Sequence, residues 1–385
     1  MTRVRPYQHA APGSISFGAG LAASLAEQRP LKRAERVLVV SDAGVKGAGL
    51  LERVTRGLHD RVALVDDQAV PDGDVAHVDA LAAQAKEANV DAIVAVGGGS
   101  VMDTAKGVAV VLARGGSIRD YEGFASVRAK LPPLVCVPTT AGTGSECTQF
   151  LVLMDRARGQ KVIIADLSVV PALGVLDPEL VVGLPERTTA ATSVDALTHA
   201  VEALASRMKN PFGVALATEA ARVLVAEGTL QRCLEAPDDI EARGRALNAA
   251  SMAGQAISVC MLGACHAFAH ALGALKGVPH GVANGAFLVP VMRFNLEKAR
   301  SSYARLGQAL GGQGDETALA EHAISEVERV VHEVARIPRR LSELGVDEGD
   351  VERLAEMALA DPDLATNPVQ ITEVARASEL IRARL

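Results

Sequence analysis

From Ala249 to Leu275 the chain carries no Asp, Glu, Lys or Arg. That run is longer than the roughly 20 apolar residues needed to span a bilayer, so it must either enter a membrane or be covered by other protein. Its content decides against the membrane. Ala, Gly and Ser dominate, Gln255, His266 and His270 interrupt it, and few side chains are strongly apolar, so insertion would be poorly driven. The reading is a buried helix, and the fold must supply both its cover and partners for its polar groups.

A chain of 385 residues is too long for one ordinary core and suggests two domains. Nearly half of it is apolar, yet tryptophan is absent and aromatics make up 3%. Cores built from Ala, Val and Leu favour close-packed helices and parallel strands over an aromatic-rich β fold. The first half alternates short β-branched runs with helical patterns. RVLVVSD, VALVDD, DAIVAVGGGS, LPPLVCVPTT, FLVLMD and KVIIADLSVV read as strands, and DVAHVDALAAQAKEANV and VMDTAKGVAVVLARG as helices between some of them. That is the pattern of a largely parallel sheet. After Gly183–Thr189 the strand signals stop and helical spacing takes over. The expected organisation is an α/β domain over 1–185, mostly parallel sheet, and an all-α domain over 186–385.

A formal net charge of −7 with interspersed signs argues against nucleic-acid binding through a basic face and points to a small partner. Cys136, Cys147, Cys233, Cys260 and Cys265 form no CxxC pair and are odd in number, which reads as a reduced, cytoplasmic protein. The N-terminal MTRVRPYQHAAPG lacks the apolar run of a signal peptide.

Two glycine-rich turns follow strands. GGGSVMD, Gly97 to Asp103, opens a helix whose free N–H groups suit a phosphate. An equally weighted alternative has Ser100 capping that helix with Asp103 reaching back in a capping box. PTTAGTGSE, Pro138 to Glu146, is the second turn. Two such turns at strand ends of one sheet are where α/β folds bind nucleotides. Asp42 ends RVLVVSD, where a carboxylate either holds a ribose hydroxyl of NAD and repels the phosphate of NADP, or caps the next helix.

Asp195 and His199 stand four apart in DALTH, as do His266 and His270 in HAFAH, and residues four apart share a helix face. His280 follows Pro279 at an expected helix start and can return toward the same point. A lone histidine on an apolar helix is usually core. Here four of nine histidines fall between 199 and 280, beside a carboxylate. Burying these groups unpartnered would cost several kcal/mol, which a divalent cation offsets; imidazoles with a carboxylate suit Fe²⁺ or Zn²⁺ better than Mg²⁺ or Ca²⁺. No HExxH or GxSxG is present, and Cys265 cannot pair with the adjacent His266 on a helix, so Cys265 reads as packing.

GGGSVMDTAKG, PTTAGTGSE, ATSVDALTHAVEA and HAFAHALGALKGVPHGVANGAFLVPVMRFN together resemble, in order and over nearly the whole length, the iron-containing (group III) alcohol dehydrogenase family. The resemblance implies a dinucleotide-binding α/β domain, a helical domain and an active site in the cleft between them. By position, Asp195, His199, His266 and His280 match the metal ligands, and His270 matches the histidine that stays off the metal near the nicotinamide. Gly97, Gly98, Gly99, Ser100, Asp103, Thr139, Thr140 and Thr143 match the cofactor turns. Asp42 matches the ribose contact that favours NAD, and Lys161 a residue near the nicotinamide ribose. The implied chemistry is hydride transfer between NAD(H) and a small alcohol or aldehyde, with the carbonyl oxygen polarised by Fe²⁺, or by Zn²⁺ in its place. His270, or else the cofactor ribose and water, relays the proton. Phe150 stands where a lactaldehyde reductase of the family has a polar residue. Ile257 and Leu262, on the helix before His266, are pocket neighbours, which hints at a less polar substrate. Asp363 falls at the pocket mouth, either selecting against anions or solvated. A homo-oligomer is expected. A dehydroquinate-synthase-like lyase would need more basic side chains, and a glycerol-type polyol dehydrogenase fewer histidines; a non-catalytic metal- and nucleotide-binding protein would need a gap in the site.

Overall fold

The computed structural model describes Tyr7 and residues 13–385; the rest of the N-terminal stretch read above for a signal peptide lies outside the described residues. The chain divides into two compact units, the first ending at Leu184 and the second running Pro185–Leu385 together with Tyr7, whose ring meets that of Phe212 edge-on at 6.3 Å, so Tyr7 lies outside the α/β unit expected over 1–185.

The first unit holds strands β1 (Ser14–Phe17), β2 (Val37–Val40), β3 (Val62–Asp66), β4 (Ala92–Gly97), β5 (Gly123–Phe124), β6 (Leu134–Pro138), β7 (Phe150–Asp155), β8 (Gln160–Ala165) and β9 (Leu173–Leu176). Its helices are α1 (Ala43–Gly47), α2 (Leu50–Arg56), α3 (Val75–Glu87) and α4 (Gly99–Arg114). Six strands make one parallel sheet in the order β1-β9-β6-β4-β2-β3. β2, β4 and β6 are buried at every residue, which is why VLVV, AIVAVG and LVCVP read as unbroken apolar runs. Successive residues serve opposite faces: Leu38, Val40, Ile93 and Ala95 pack with Val78, Leu81 and Val101, whereas Val37, Val39, Val94 and Val96 pack with Leu25, Leu51 and Val54.

Two of the runs expected in this sheet lie elsewhere. β7 and β8 pair antiparallel, from Phe150 opposite Ala165 to Asp155 opposite Gln160, and join β5 in a separate three-stranded sheet. The connection between Asp155 and Gln160, with Gly159 at φ 66°, is too short for the crossover that parallel strands require. Conversely, β1 and β9 join the main sheet although SISF and LGVL are only four residues each and carry little strand signal.

The second unit contains α5 (Glu186–Ala205), α6 (Pro211–Ala221), α7 (Thr229–Glu235), α8 (Ile240–Cys260), α9 (Ala264–Lys276), α10 (His280–Ala309), α11 (Glu316–Arg329), α12 (Val351–Leu359) and α13 (Val374–Arg382), and no strand among the described residues. The uncharged run is two helices rather than one. Met261 turns to φ 66° after α8, and α9 leaves at 106°. Leu262, expected on a helix, therefore sits in the break, while Ile257 is on α8. The new helix is started by side chains from elsewhere: the backbone N–H of Ala264 donates to Asn367 Oδ1 (3.2 Å) and that of Cys265 to Glu202 Oε1 (2.7 Å). A Cβ at Gly263 would lie 3.0 Å from Asn367 Oδ1 and 3.1 Å from Glu202 Oε1, so this approach favours glycine. No single helix among the described residues is long and apolar enough to cross a membrane.

Small residues let these helices come close. Ala196, Ala200 and Ala203 on α5 and Ala249, Ala250, Ala253 and Ala256 on α8 are all buried. At the contact of α10 with α11, a Cβ on Gly307 would lie 1.9 Å from the backbone oxygen of Leu319. A backbone oxygen cannot rotate aside, so Gly307→Ala should destabilise this unit by about 1–3 kcal/mol. An unchanged midpoint in urea unfolding would show that the helices separate freely there.

Candidate functional site

Asp195, His199 and Glu202 lie on one face of α5, at the spacing that aligns helix residues. His266 and His270 project from α9. Gly277, at φ 69°, ends α9, and Pro279 precedes the first residue of α10, His280. A Cβ on Gly281 would lie 2.0 Å from Ala191 O, so glycine here allows the first turn of α10 to touch the α5 backbone and carries His280 to Asp195.

Asp195 Oδ1 lies 3.7 Å from His199 Nε2, 3.8 Å from His266 Nε2 and 3.4 Å from His280 Nε2. The Asn284 amide nitrogen donates to Asp195 Oδ1 (2.7 Å) and is 3.2 Å from Nε2 of both His266 and His280, so these three atoms converge on one point. Donors about 2.0–2.2 Å from a tetrahedral metal stand roughly 3.3–3.6 Å apart, close to the separations found here. The set therefore fits a divalent ion with N and O ligands. Asp195, His199 and His266 are 3%, 4% and 1% exposed. Burial pushes the His266 imidazole well below its usual pKa, the neutral form that binds metal. Burial also pulls Asp195 upward, but His199, His280 and His266 outweigh it and hold the carboxylate below its ordinary value.

His270 belongs to a second group with Asp361 and Asp363. Its Nδ1 is 2.8 Å from Asp361 Oδ2 and 3.9 Å from Asp363 Oδ2, and its ring stacks on His280 at 5.3 Å. Asp363 is not a solvated side chain. It is largely buried, and burial together with Asp361 drives its pKa well above the usual value.

In the first unit the two glycine-rich turns lie side by side at the C-terminal ends of β4 and β6. Thr139 N donates to Gly97 O (3.1 Å). A Cβ on Gly99 would lie 2.8 Å from Thr143 Cγ2, and one on Gly98 3.4 Å from Thr140 Oγ1. The expected alternative of a Ser100 capping box does not form. Gly98 is the N-cap of α4, with no side-chain cap; Ser100 Oγ accepts from Asp72 N (3.0 Å), and Asp103 accepts from Ser145 Oγ (2.7 Å) and Val152 N (2.9 Å). These partners come from segments distant in sequence, not from the first turn of α4. Asp42 is the N-cap of α1, accepting from Val45 N at 2.9 Å. Lys161, on β8, faces Asp72 Oδ1 at 3.6 Å. Phe150 opens β7, partly buried, and its carbonyl oxygen accepts from Lys106 Nζ (2.7 Å).

The family model for iron-containing alcohol dehydrogenases matches residues 12–178, and the model for that family's C-terminal domain matches residues 189–383. The chain belongs to this family. Alcohol dehydrogenase 4 of Schizosaccharomyces pombe is 38% identical over 363 residues, covering 94% of this chain and 85% of the relative. A solved 1,3-propanediol oxidoreductase superposes with a TM-score of 0.94 at 32% identity, covering 99% and 100% of the two chains. The sulfoacetaldehyde reductase of Bifidobacterium kashiwanohense, solved in complex with NAD⁺, gives 0.87 at 28% identity, covering 99% of each chain.

In this iron-containing alcohol dehydrogenase, four polar side chains at the two sites escape the sequence reading. Glu202 and Asn284 continue the helical spacing of Asp195 and His199 and of His280, so a face-by-face count could find them. Asp361 lies far along the chain and gives no local signal. Lys106 reads as one more residue of an apolar helix, yet it is fully buried and donates to Ser145 Oγ (2.8 Å), Thr148 O (3.2 Å) and Phe150 O (2.7 Å). Ser145 in turn donates to Asp103, which ties the second turn to α4. Burial pushes the Lys106 ammonium below its usual pKa and the Asp103 carboxyl above. Lys106→Met should leave these oxygens without a buried donor, at about 1–3 kcal/mol for each left unmet, and should weaken NADH binding. Unchanged stability together with unchanged NADH affinity would show that the turn holds itself.

Proposed function

We propose that the chain interconverts a primary alcohol and its aldehyde at a metal held by Asp195, His199, His266 and His280, with His270 as the catalytic histidine off the metal. It is an NAD-dependent oxidoreductase of the iron-containing alcohol dehydrogenase family, using NAD(H) and a divalent metal. Named relatives are alcohol and propanediol dehydrogenases, which leaves the lyase and non-catalytic readings unfavoured. The observation that carries the site reading is the convergence of three Nε2 atoms within 3.4–3.8 Å of one buried carboxylate oxygen.

Fe²⁺ is the metal of the reading, with Zn²⁺ the alternative that the same donors accept; bound there, it would supply Lewis acidity for a substrate oxygen. The rest falls to side chains. Asp361 engages His270 Nδ1, which leaves Nε2 as the nitrogen that exchanges a proton. Gly97, Gly98, Gly99 and Ser100, with Asp103, Thr139, Thr140 and Thr143, form the turns that take the dinucleotide, supported by the uncapped start of α4, where N–H groups suit phosphate. Asp42 is assigned to the ribose and Lys161 to the nicotinamide ribose. Phe150, Ile257 and Leu262 are assigned to an apolar substrate surface and Asp363, with the Asp361 carboxylate beside it, to its selection against anions. The functional boundary is set at residue 185, separating a nucleotide part (1–185) from a metal part (186–385). A cytoplasmic homo-oligomer without nucleic-acid or membrane partners completes the reading.

Protein loaded with Fe²⁺ without oxygen should consume NADH with short aldehydes and stop when a chelator is added. His280→Ala should lose metal and turnover together; stoichiometric metal with full turnover would remove His280 from the ligand set. His270→Ala should keep its metal while kcat falls by about 10²–10⁴, and loss of metal in that variant would reverse the assigned roles.

A further inference from the structure

We infer that Glu202 is the positioning residue that fixes the tautomer of His266 and so turns Nε2 toward the metal. The inference rests on the ligand set proposed above and adds to it a residue that touches neither metal nor substrate.

The two nitrogens of the His266 ring have different partners. Nδ1 lies 2.5 Å from Glu202 Oε2, while Nε2 faces Asp195 Oδ1 at 3.8 Å and the Asn284 amide nitrogen at 3.2 Å. An ionised carboxylate can only accept, so beside Glu202 the His266 proton resides on Nδ1 and is donated to Oε2, which leaves Nε2 without a proton. Glu202 is itself held in place. Its other oxygen accepts from Cys265 N at 2.7 Å, in the first turn of α9. One carboxylate thus starts the helix that carries His266 and orients the ring one residue further on. The ring of His199 shows that such an arrangement is not automatic. His199 Nδ1 is buried with no hydrogen-bond partner among the described residues, and its ring stacks on His266 at 4.9 Å. Asp361 makes the analogous bond to His270 Nδ1, in the other group.

The pair of acceptors required at position 202 makes the inference sharp. Both oxygens of Glu202 face N–H donors. An amide offers one acceptor and one donor. In Glu202→Gln, oxygen on Cys265 N–H puts the NH₂ group against His266 Nδ1, which must then accept and send its proton to Nε2, where it blocks metal. Oxygen on Nδ1 instead sets two donors against each other at Cys265.

The test measures Zn²⁺ affinity of the full-length protein by competition with a chromophoric chelator. Glu202→Gln should bind about 10–100-fold more weakly than wild type, and Asp361→Asn should stay within about threefold of it. In a His266→Ala background, Glu202→Gln should cause less than about a threefold further loss, because its effect passes through the ring. Wild-type affinity in Glu202→Gln, or the same large loss with and without His266, would overturn the inference. If Glu202→Gln fails to fold, ¹⁵N ring spectra of metal-free wild-type protein decide instead, with His266 assigned from His266→Ala. An unprotonated Nε2 supports the inference and a protonated one overturns it. If wild-type protein binds no Zn²⁺, it is the proposed ligand set that fails, whereas the ring spectra still report on Glu202.

Discussion

Asp195 is a carboxylate buried among helices with three imidazoles and an amide as its partners, and much of the second unit serves that placement. An ionised carboxylate removed from water costs several kcal/mol unless it is paired. His199 reaches Asp195 from the same helix, but histidines from elsewhere can do so only if other helices approach closely. α10 achieves this through Gly281, whose missing Cβ leaves room for Ala191 O. α9 does so because Met261 breaks the uncharged run and lets the chain leave at 106°. Two different solutions to close approach therefore bring His266 and His280 to one oxygen, and the donor set that results suits a divalent metal.

Polar groups one step behind the donors make the arrangement rigid. Glu202 and Asn367 begin α9, Asn295 and Asn367 bond to each other at 2.9 Å, and Glu202 orients His266. Partners behind a metal ligand commonly change affinity by about 10–100-fold, so these groups belong to the chemistry as much as to the fold. The first unit uses the same device with a lysine. Lys106, Ser145 and Asp103 form a buried chain of hydrogen bonds that links α4 to the second glycine-rich turn, and the turn residues are held without relying on their own flexible backbone.

Most of the elements were legible because each is governed by local periodicity. Fully buried strands of a parallel sheet appear as unbroken apolar runs, and β2, β4 and β6 stand where RVLVVSD, DAIVAVGGGS and LPPLVCVPTT placed them. β7 and β8 were legible as strands but not as members of a different sheet, since pairing is chosen between segments. The break at Met261 was hidden for a similar reason: nothing in an alanine-rich run marks it, and the caps on α9 come from Glu202 and Asn367, some 60 and 100 positions away. Ser100 shows the converse case, a residue with good local capping chemistry whose hydroxyl was taken by Asp72 N instead.

The sequence by itself determined the element types, the family, and the candidate residues whose side chains carry metal and nucleotide chemistry, because helical spacing and glycine-rich turns are properties of neighbours in the chain. Only the tertiary structure decided which nitrogen of each ring faces Asp195, that His270 turns to Asp361 and Asp363 rather than to Asp195, and that Lys106 and Glu202 are buried supports. Those choices depend on hydrogen bonds and close approaches between segments distant in sequence, where burial sets the cost of every unpaired polar atom and no local pattern records the partner.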